Sequence, residues 1–100
     1  MKMQNDLEKI KRSLDENLPF IEKNFNVDRI GIFGSVVRGD NTEKSDVDLL
    51  VELSEPIGLF KFLELEDFLS QTVGKKVDLV SKGALKEVIR EDILQNTVYV

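Results

Sequence analysis

The chain contains no cysteine and no histidine. Without cysteine there is neither a disulfide scaffold nor a thiolate zinc site. Without histidine, serine–histidine and cysteine–histidine catalysis are excluded, and the commonest transition-metal ligand is missing. Catalysis therefore falls to carboxylates, hydroxyls, Lys, Arg or the single tyrosine, Tyr99. Any metal site would be built of hard oxygens, which suits Mg²⁺ rather than zinc. Long apolar runs are lacking too: none spans a bilayer, and the N-terminus has no apolar signal-peptide core. The expectation is a soluble cytoplasmic protein with no membrane contact. Positive charge is scarce, with 14 basic residues against 19 acidic ones and a net charge of −5. That is the wrong sign for tracking a phosphate backbone, so no free nucleic acid is expected as a partner. There is no internal repeat, low-complexity tract or Pro/Gly linker. The 100 residues fit a single domain, 1–100, with little room for a second one to hold a substrate.

What is present reads as alternating helices and strands. Asn5 with Glu8 forms a capping-box pattern. Leu7, Ile10, Leu14, Leu18, Ile21 and Phe25 then recur at helical spacing. Pro19 predicts a break near Asn17–Pro19 and a short second helix. Val27 to Phe33 reads as a strand running into Gly34-Ser35, where a tight turn or short helix begins. A polar loop covers Asp40 to Lys44. Asp46 to Leu53 is a second strand and Lys76 to Ser81 a third. Between them Gly58 to Val73 has helical spacing and ends at Gly74, a C-cap signal. Ala84 to Asn96 is a last helix, with Arg90, Glu91 and Asp92 expected on a solvated face, and Thr97 to Val100 adds a short strand. This order predicts an α+β fold, a mixed sheet with helices packed mainly on one face.

Three acids carry the chemistry. Residues two apart on a strand share a face, so Asp46 and Asp48 project together. Their repulsion calls for a counter-charge, which a divalent cation supplies; two cations about 3.5–4 Å apart form the usual phosphoryl-transfer clamp. The bland alternative is two exposed acids at a strand start, but Leu49-Leu50-Val51 marks a core strand. Asp78 sits inside the apolar run Val77-Asp78-Leu79-Val80. It is either an edge acid facing water or, if the second and third strands are neighbours, the third carboxylate of a metal cluster and a proton acceptor.

Gly34-Ser35 at a strand-to-helix turn can present backbone N–H groups to phosphate, with Ser35 adding a hydroxyl and Arg38 a planar fork. Alone it is equally an ordinary turn, and it is not a Walker A loop. The integrin-like triplet Arg38-Gly39-Asp40 is taken as coincidence.

Gly34-Ser35, ten intervening residues and Asp46-Val47-Asp48 together form the Gly-Ser-x10-Asp-x-Asp signature. The string GSVVRGDNTEKSDVDLLV, with KKVDLV and DILQNTVYV, resembles the minimal nucleotidyltransferase (MNT) branch of the DNA-polymerase-β-like superfamily, the antitoxins of HEPN–MNT toxin–antitoxin pairs. The resemblance covers nearly the whole chain with no departure at the signature positions. It implies that Gly34 and Ser35 bind the triphosphate of ATP, with Arg38 a further phosphate contact. It also implies that Asp46 and Asp48 bind two Mg²⁺ ions, completed by Asp78. AMP would pass from ATP to a hydroxyl, a tyrosine of a HEPN-type toxin whose RNase activity is thereby blocked. The partner would be met in a homo- or hetero-oligomer. Two other readings stay open: a non-catalytic antitoxin that occludes its partner, and a nucleotidyltransferase acting on a small molecule or an RNA end.

One surface feature remains. On a helical wheel Leu59, Phe62, Leu63, Leu65, Leu69 and Val73 form the core side of Gly58–Val73, while Phe60 and Phe68 fall outside it, either tucked under a neighbouring helix or loop or forming a candidate partner patch. Glu66 falls inside the core stripe, where an acid is out of place.

Overall fold

The computed structural model describes residues 4–100, apart from the side chains at 4, 5, 87 and 88. The first helix, α1, runs Gln4–Phe25 without interruption. It begins ahead of Asn5, whose side chain lies outside the described residues. The break expected at Pro19 does not occur. An interior proline costs about 3 kcal/mol through a lost hydrogen bond and a ring clash. Beyond it, however, Ile21 and Phe25 are buried, each worth about 1.5–3 kcal/mol. The apolar stripe thus continues across Pro19 and offsets its cost, while the ring itself sits on the exposed side.

Four strands form one mixed sheet in the order β3-β2-β1-β4. They are β1 (Val27–Phe33), β2 (Val47–Leu53), β3 (Val77–Ser81) and β4 (Val98–Tyr99). β1 pairs antiparallel with β2 and β4, and β2 pairs parallel with β3. The parallel pair is joined by α3 (Gly58–Val73), which Gly74 ends in left-handed conformation, its N–H donating to Ser70 O. A four-residue helix α2 (Ser35–Arg38) follows β1. A 3₁₀ turn (Lys82–Ala84) precedes α4 (Glu87–Gln95), so the last helix starts later than the sequence predicts. β2 and β3 each begin one residue late, which leaves Asp46 just ahead of its strand.

Strand periodicity divides the sheet. Ile30, Ile32, Val47, Leu49, Val51, Val77 and Leu79 face a helical layer of α1 and α3 and join its buried side chains in one core. A bulge between Val27 and Arg29 inserts Asp28, and this keeps Val27 as well as Ile30 on the core side. The opposite face carries Arg29, Gly31, Asp48, Leu50 and Asp78. Gly31 leaves room there for Thr97 and the Tyr99 ring, which a Cβ would meet at 3.2 Å. Tyr99 donates to Glu52 at 3.1 Å and lies under the Arg29 guanidinium at 3.6 Å, tying β4 to the sheet. Among the described residues no helix is long and apolar enough to cross a membrane.

α3 is rotated relative to the expected wheel. Leu65 and Leu69 are fully buried, but Leu59 and Leu63 are 69% and 48% exposed. The rotation turns Glu66 and Ser70 toward β3, where Glu66 Oε2 accepts the Leu79 N–H and Ser70 Oγ accepts the Val77 N–H, each at 3.0 Å. Glu66 is therefore in the stripe for a polar reason. The two phenylalanines separate. Phe60 is 84% exposed, whereas Phe68 packs on the core and stacks on Phe20 at 5.1 Å. Phe60→Ser is accordingly expected to change unfolding free energy by no more than about 0.5 kcal/mol. Phe68→Ser should lower it by about 2 kcal/mol or more. Denaturant titration of the two variants checks the difference, and equal losses would contradict the assignment of Phe68 to the core.

Candidate active site

The acidic face of the sheet opens into a cavity of about 930 Å³. One wall comes from the signature: Gly34, Ser35, Arg38, Asp46, Asp48 and Asp78 all line it. A further wall is Leu85 with Ile89, Asp92 and Ile93 of α4 and Asn96 just beyond its end. All six residues singled out in the sequence are thus brought together.

Asp48 occupies the centre. It pairs in register with Phe33 on one side and with Asp78 on the other. Gly34 fits beside it only because it lacks a side chain: a Cβ there would lie 2.9 Å from Asp48 Cγ and closer still to a carboxylate oxygen. Gly34 also has φ 78° and ψ −147°, a conformation that other residues adopt only with strain. The same residue that turns the chain into α2 therefore lets the turn rest against the carboxylate.

α2 begins directly at that turn, and no side chain caps it. The N–H groups of its first turn lack intrahelical partners, and Gly34 and Ser35 place them beside the cavity. Arg38 pairs with Asp40 at 3.2 Å, but both side chains are more than 60% exposed. Such a pair contributes roughly 0–1 kcal/mol, so Arg38 is free to exchange Asp40 for a bound anion. The loop from α2 to β2 is fixed by its own polar contacts. Thr42 N–H donates to Ser45 Oγ at 2.9 Å, and Lys75 Nζ reaches Thr42 O at 3.2 Å. Buried Asn41 donates to Asp6 of α1 at 2.9 Å.

The electrostatics are unfavourable by construction. Asp48 titrates above the usual carboxylate range, first because it is partly buried, then because Asp78 and Asp46 repel its charge. Arg38 pulls weakly the other way. Asp46 lies 4.0 Å from Lys76 Nζ, and Asp46 and Asp78 are both exposed. Among the described residues, no three acids as placed are gathered closely enough to hold one ion. In donor type and charge the set fits a hard divalent cation, since it is all carboxylate oxygen and carries repulsion that a cation removes.

The α4 wall was not anticipated from the sequence. Its signal was present in Leu85, Ile89 and Ile93 at four-residue spacing, but nothing local says which element they face. The Arg90-Glu91-Asp92 cluster is only partly a solvated face: Arg90 is half-buried and donates to Leu85 O at 3.3 Å, and Asp92 lines the cavity.

Comparison with known proteins agrees with this geometry. The profile of the nucleotidyltransferase domain family matches residues 7–100. A protein adenylyltransferase, MntA, of Thermococcus cleftensis is 45% identical over 94 residues, 94% of this chain and 95% of the relative. A solved structure described as a minimal nucleotidyltransferase superposes with TM-score 0.74 at 30% identity, covering 98% of this chain and 95% of the other. A chain from the complex of tri-AMPylated Shewanella oneidensis HEPN toxin with MNT antitoxin shares the fold, with TM-score 0.59 at 21% identity. It is covered over 71% of its length by 98% of this chain.

The raised titration of Asp48 has a definite sign. Ionising this carboxyl costs more in the folded than in the unfolded chain. Stability is therefore lost as pH climbs from the ordinary carboxylate range through the raised value. Without divalent cations, Asp48→Asn should melt a few degrees above the parent protein at neutral pH. The gap should close in acid below the carboxylate range. Thermal melts across pH test this, and a variant less stable than its parent at neutral pH would refute it.

Proposed function

The chain belongs to the nucleotidyltransferase domain family, whose profile spans residues 7–100, and on that premise we propose that it is a protein adenylyltransferase antitoxin. In this reading residues 1–100 work as one domain that moves AMP from ATP to a tyrosine hydroxyl of a HEPN-type toxin and so neutralises it. The observation that carries the reading is the in-register pairing of Asp48 with Asp78 at a cavity that Gly34 and Ser35 also line. The name of the Thermococcus relative supports protein as the acceptor class. The Shewanella complex, an AMPylated HEPN toxin with an MNT antitoxin, supports the partner.

The acceptor oxygen attacks the α-phosphorus of ATP. The new O–P bond forms as the bond to the bridging oxygen breaks, and pyrophosphate leaves. Gly34 and the open N–H groups at the start of α2 hold the triphosphate. Ser35 donates its hydroxyl, and Arg38 turns from Asp40 to a phosphate oxygen. Asp46, Asp48 and Asp78 would hold two Mg²⁺ ions, which when bound would neutralise phosphate charge and relieve the repulsion among the carboxylates. Asp78, exposed at the cavity wall, accepts the hydroxyl proton. The partner presents its own hydroxyl, so the protein–protein interface supplies the orientation that a substrate pocket would otherwise provide. The net charge of −5 weighs against an RNA end as acceptor. The setting is the cytoplasm, and the working assembly is a hetero-oligomer with the toxin.

Incubation with ATP, Mg²⁺ and a purified HEPN-type toxin partner should add the mass of AMP to a tyrosine of that partner. Asp46→Asn and Asp48→Asn should each lower the rate by about a hundredfold or more with the fold intact. Asp78→Ala should lose transfer while still binding ATP in a calorimetric titration. An unmodified partner that is nonetheless silenced would replace this reading with occlusion, and near-parental transfer by either Asn variant would remove the metal assignment.

A further inference from the structure

We infer that Glu66 and Ser70 of α3 are positioning residues for Asp78, an inference that rests on the adenylyltransferase reading of the cavity. β3 is an edge strand whose one strand neighbour is β2. Its outward N–H groups would ordinarily go to water, leaving the strand free to rock about its pairing with β2. Here both amides that flank Asp78 are held from the far side. The Val77 N–H donates to Ser70 Oγ and the Leu79 N–H to Glu66 Oε2, each at 3.0 Å.

The two bonds converge on one residue. The Ser70 hydroxyl that accepts from Val77 donates in turn to the Glu66 carbonyl oxygen at 3.0 Å. Glu66 thus receives one flank of Asp78 through its side chain and the other through Ser70. A bond to an ionised carboxylate is roughly twice as strong as a neutral one, so the Leu79 contact is the firmer of the pair. Asp78 itself is exposed and makes no hydrogen bond to another side chain among the described residues. Its direction is therefore set by the strand that carries it. Leu79, next in the chain, is buried against the core on the α3 side, so strand alternation sends Asp78 to the cavity side. Holding the amides on both sides of Asp78 fixes it opposite Asp48.

Groups that orient metal ligands by hydrogen bonding directly to them typically change metal affinity or activity about 10–100-fold when removed, and an effect at the lower end of that range is expected here, where the bonds go to the flanking amides. The test uses ¹⁵N-labelled full-length protein with Mn²⁺ as the paramagnetic probe, alongside the transfer assay. Glu66→Ala is expected to speed hydrogen exchange at the Leu79 amide. It should raise the Mn²⁺ concentration that broadens the Asp78 signal by about tenfold, and lower kcat with KM for ATP unchanged. Glu66→Gln keeps an acceptor oxygen and should restore all three. Parental Mn²⁺ response and kcat in Glu66→Ala would overturn the inference, as would a Gln variant as defective as the Ala one. If Glu66→Ala fails to fold, Ser70→Ala, which removes the Val77 contact together with the hydroxyl's bond to the Glu66 carbonyl, is read in the same way with the Val77 amide. A parent protein that transfers no AMP refutes the enzymatic reading while the Mn²⁺ arm still decides this one. A parent whose Asp78 signal ignores Mn²⁺ refutes the positioning role.

Discussion

Everything in this molecule depends on the two-residue period of β2 and β3 and on the register that aligns them. Val47, Leu49 and Val51 point into the helical layer, and Asp48 points away from it. The parallel pairing of Asp48 with Asp78 and of Leu49 with Leu79 makes the alternation common to both strands. A slip of one residue would bury the acids and expose the core, so the hydrophobic effect itself enforces the geometry of the carboxylates. The residues that provide stability and those assigned to chemistry occupy alternate positions of the same short segments.

The arrangement carries an electrostatic cost. Asp48 is partly desolvated and faces like charges on two sides, with Arg38 the nearby compensation and only a weak one. Fully buried neighbours such as Leu49, Leu50 and Val51 contribute about 1.5–3 kcal/mol each. The core around the strand therefore offsets the cost of carrying the carboxylates. A site of mutually repelling hard oxygens would reward a small, highly charged cation, the kind of ion that the proposed reaction requires.

Much of this was legible in the sequence because the signals were local. The bounds of β1 and α3 follow from flanking glycines and from runs of β-branched or helix-forming residues. Gly34, Ser35, Arg38 and the three acids stand at spacings that the fold does converge on one cavity. What escaped was decided by partners far away in the chain. Pro19 predicts a break when judged by its neighbours, but Ile21 and Phe25 are buried against other elements and keep α1 whole. The wheel for α3 misplaced Leu59 and Leu63 because the rotation of the helix is fixed by Glu66 and Ser70 reaching an edge strand. Glu66 was visible as an anomaly, and its explanation needed Leu79. The α4 wall was missed for the same reason: its apolar spacing is plain, but Asp46 and Asp48, which share its cavity, lie some 40 positions upstream.

The hydrogen bonds along the outer side of β3 also govern what the sheet can do with other molecules. A bare edge strand offers its amides to any extended chain that passes, which is the route both to strand-addition binding and to edge-to-edge aggregation. With the Val77 and Leu79 amides committed to α3, that route is closed at the edge nearest Asp78. The sheet cannot be extended there by an unfolded neighbour, and a partner seeking the cavity has to engage it through side chains and loops.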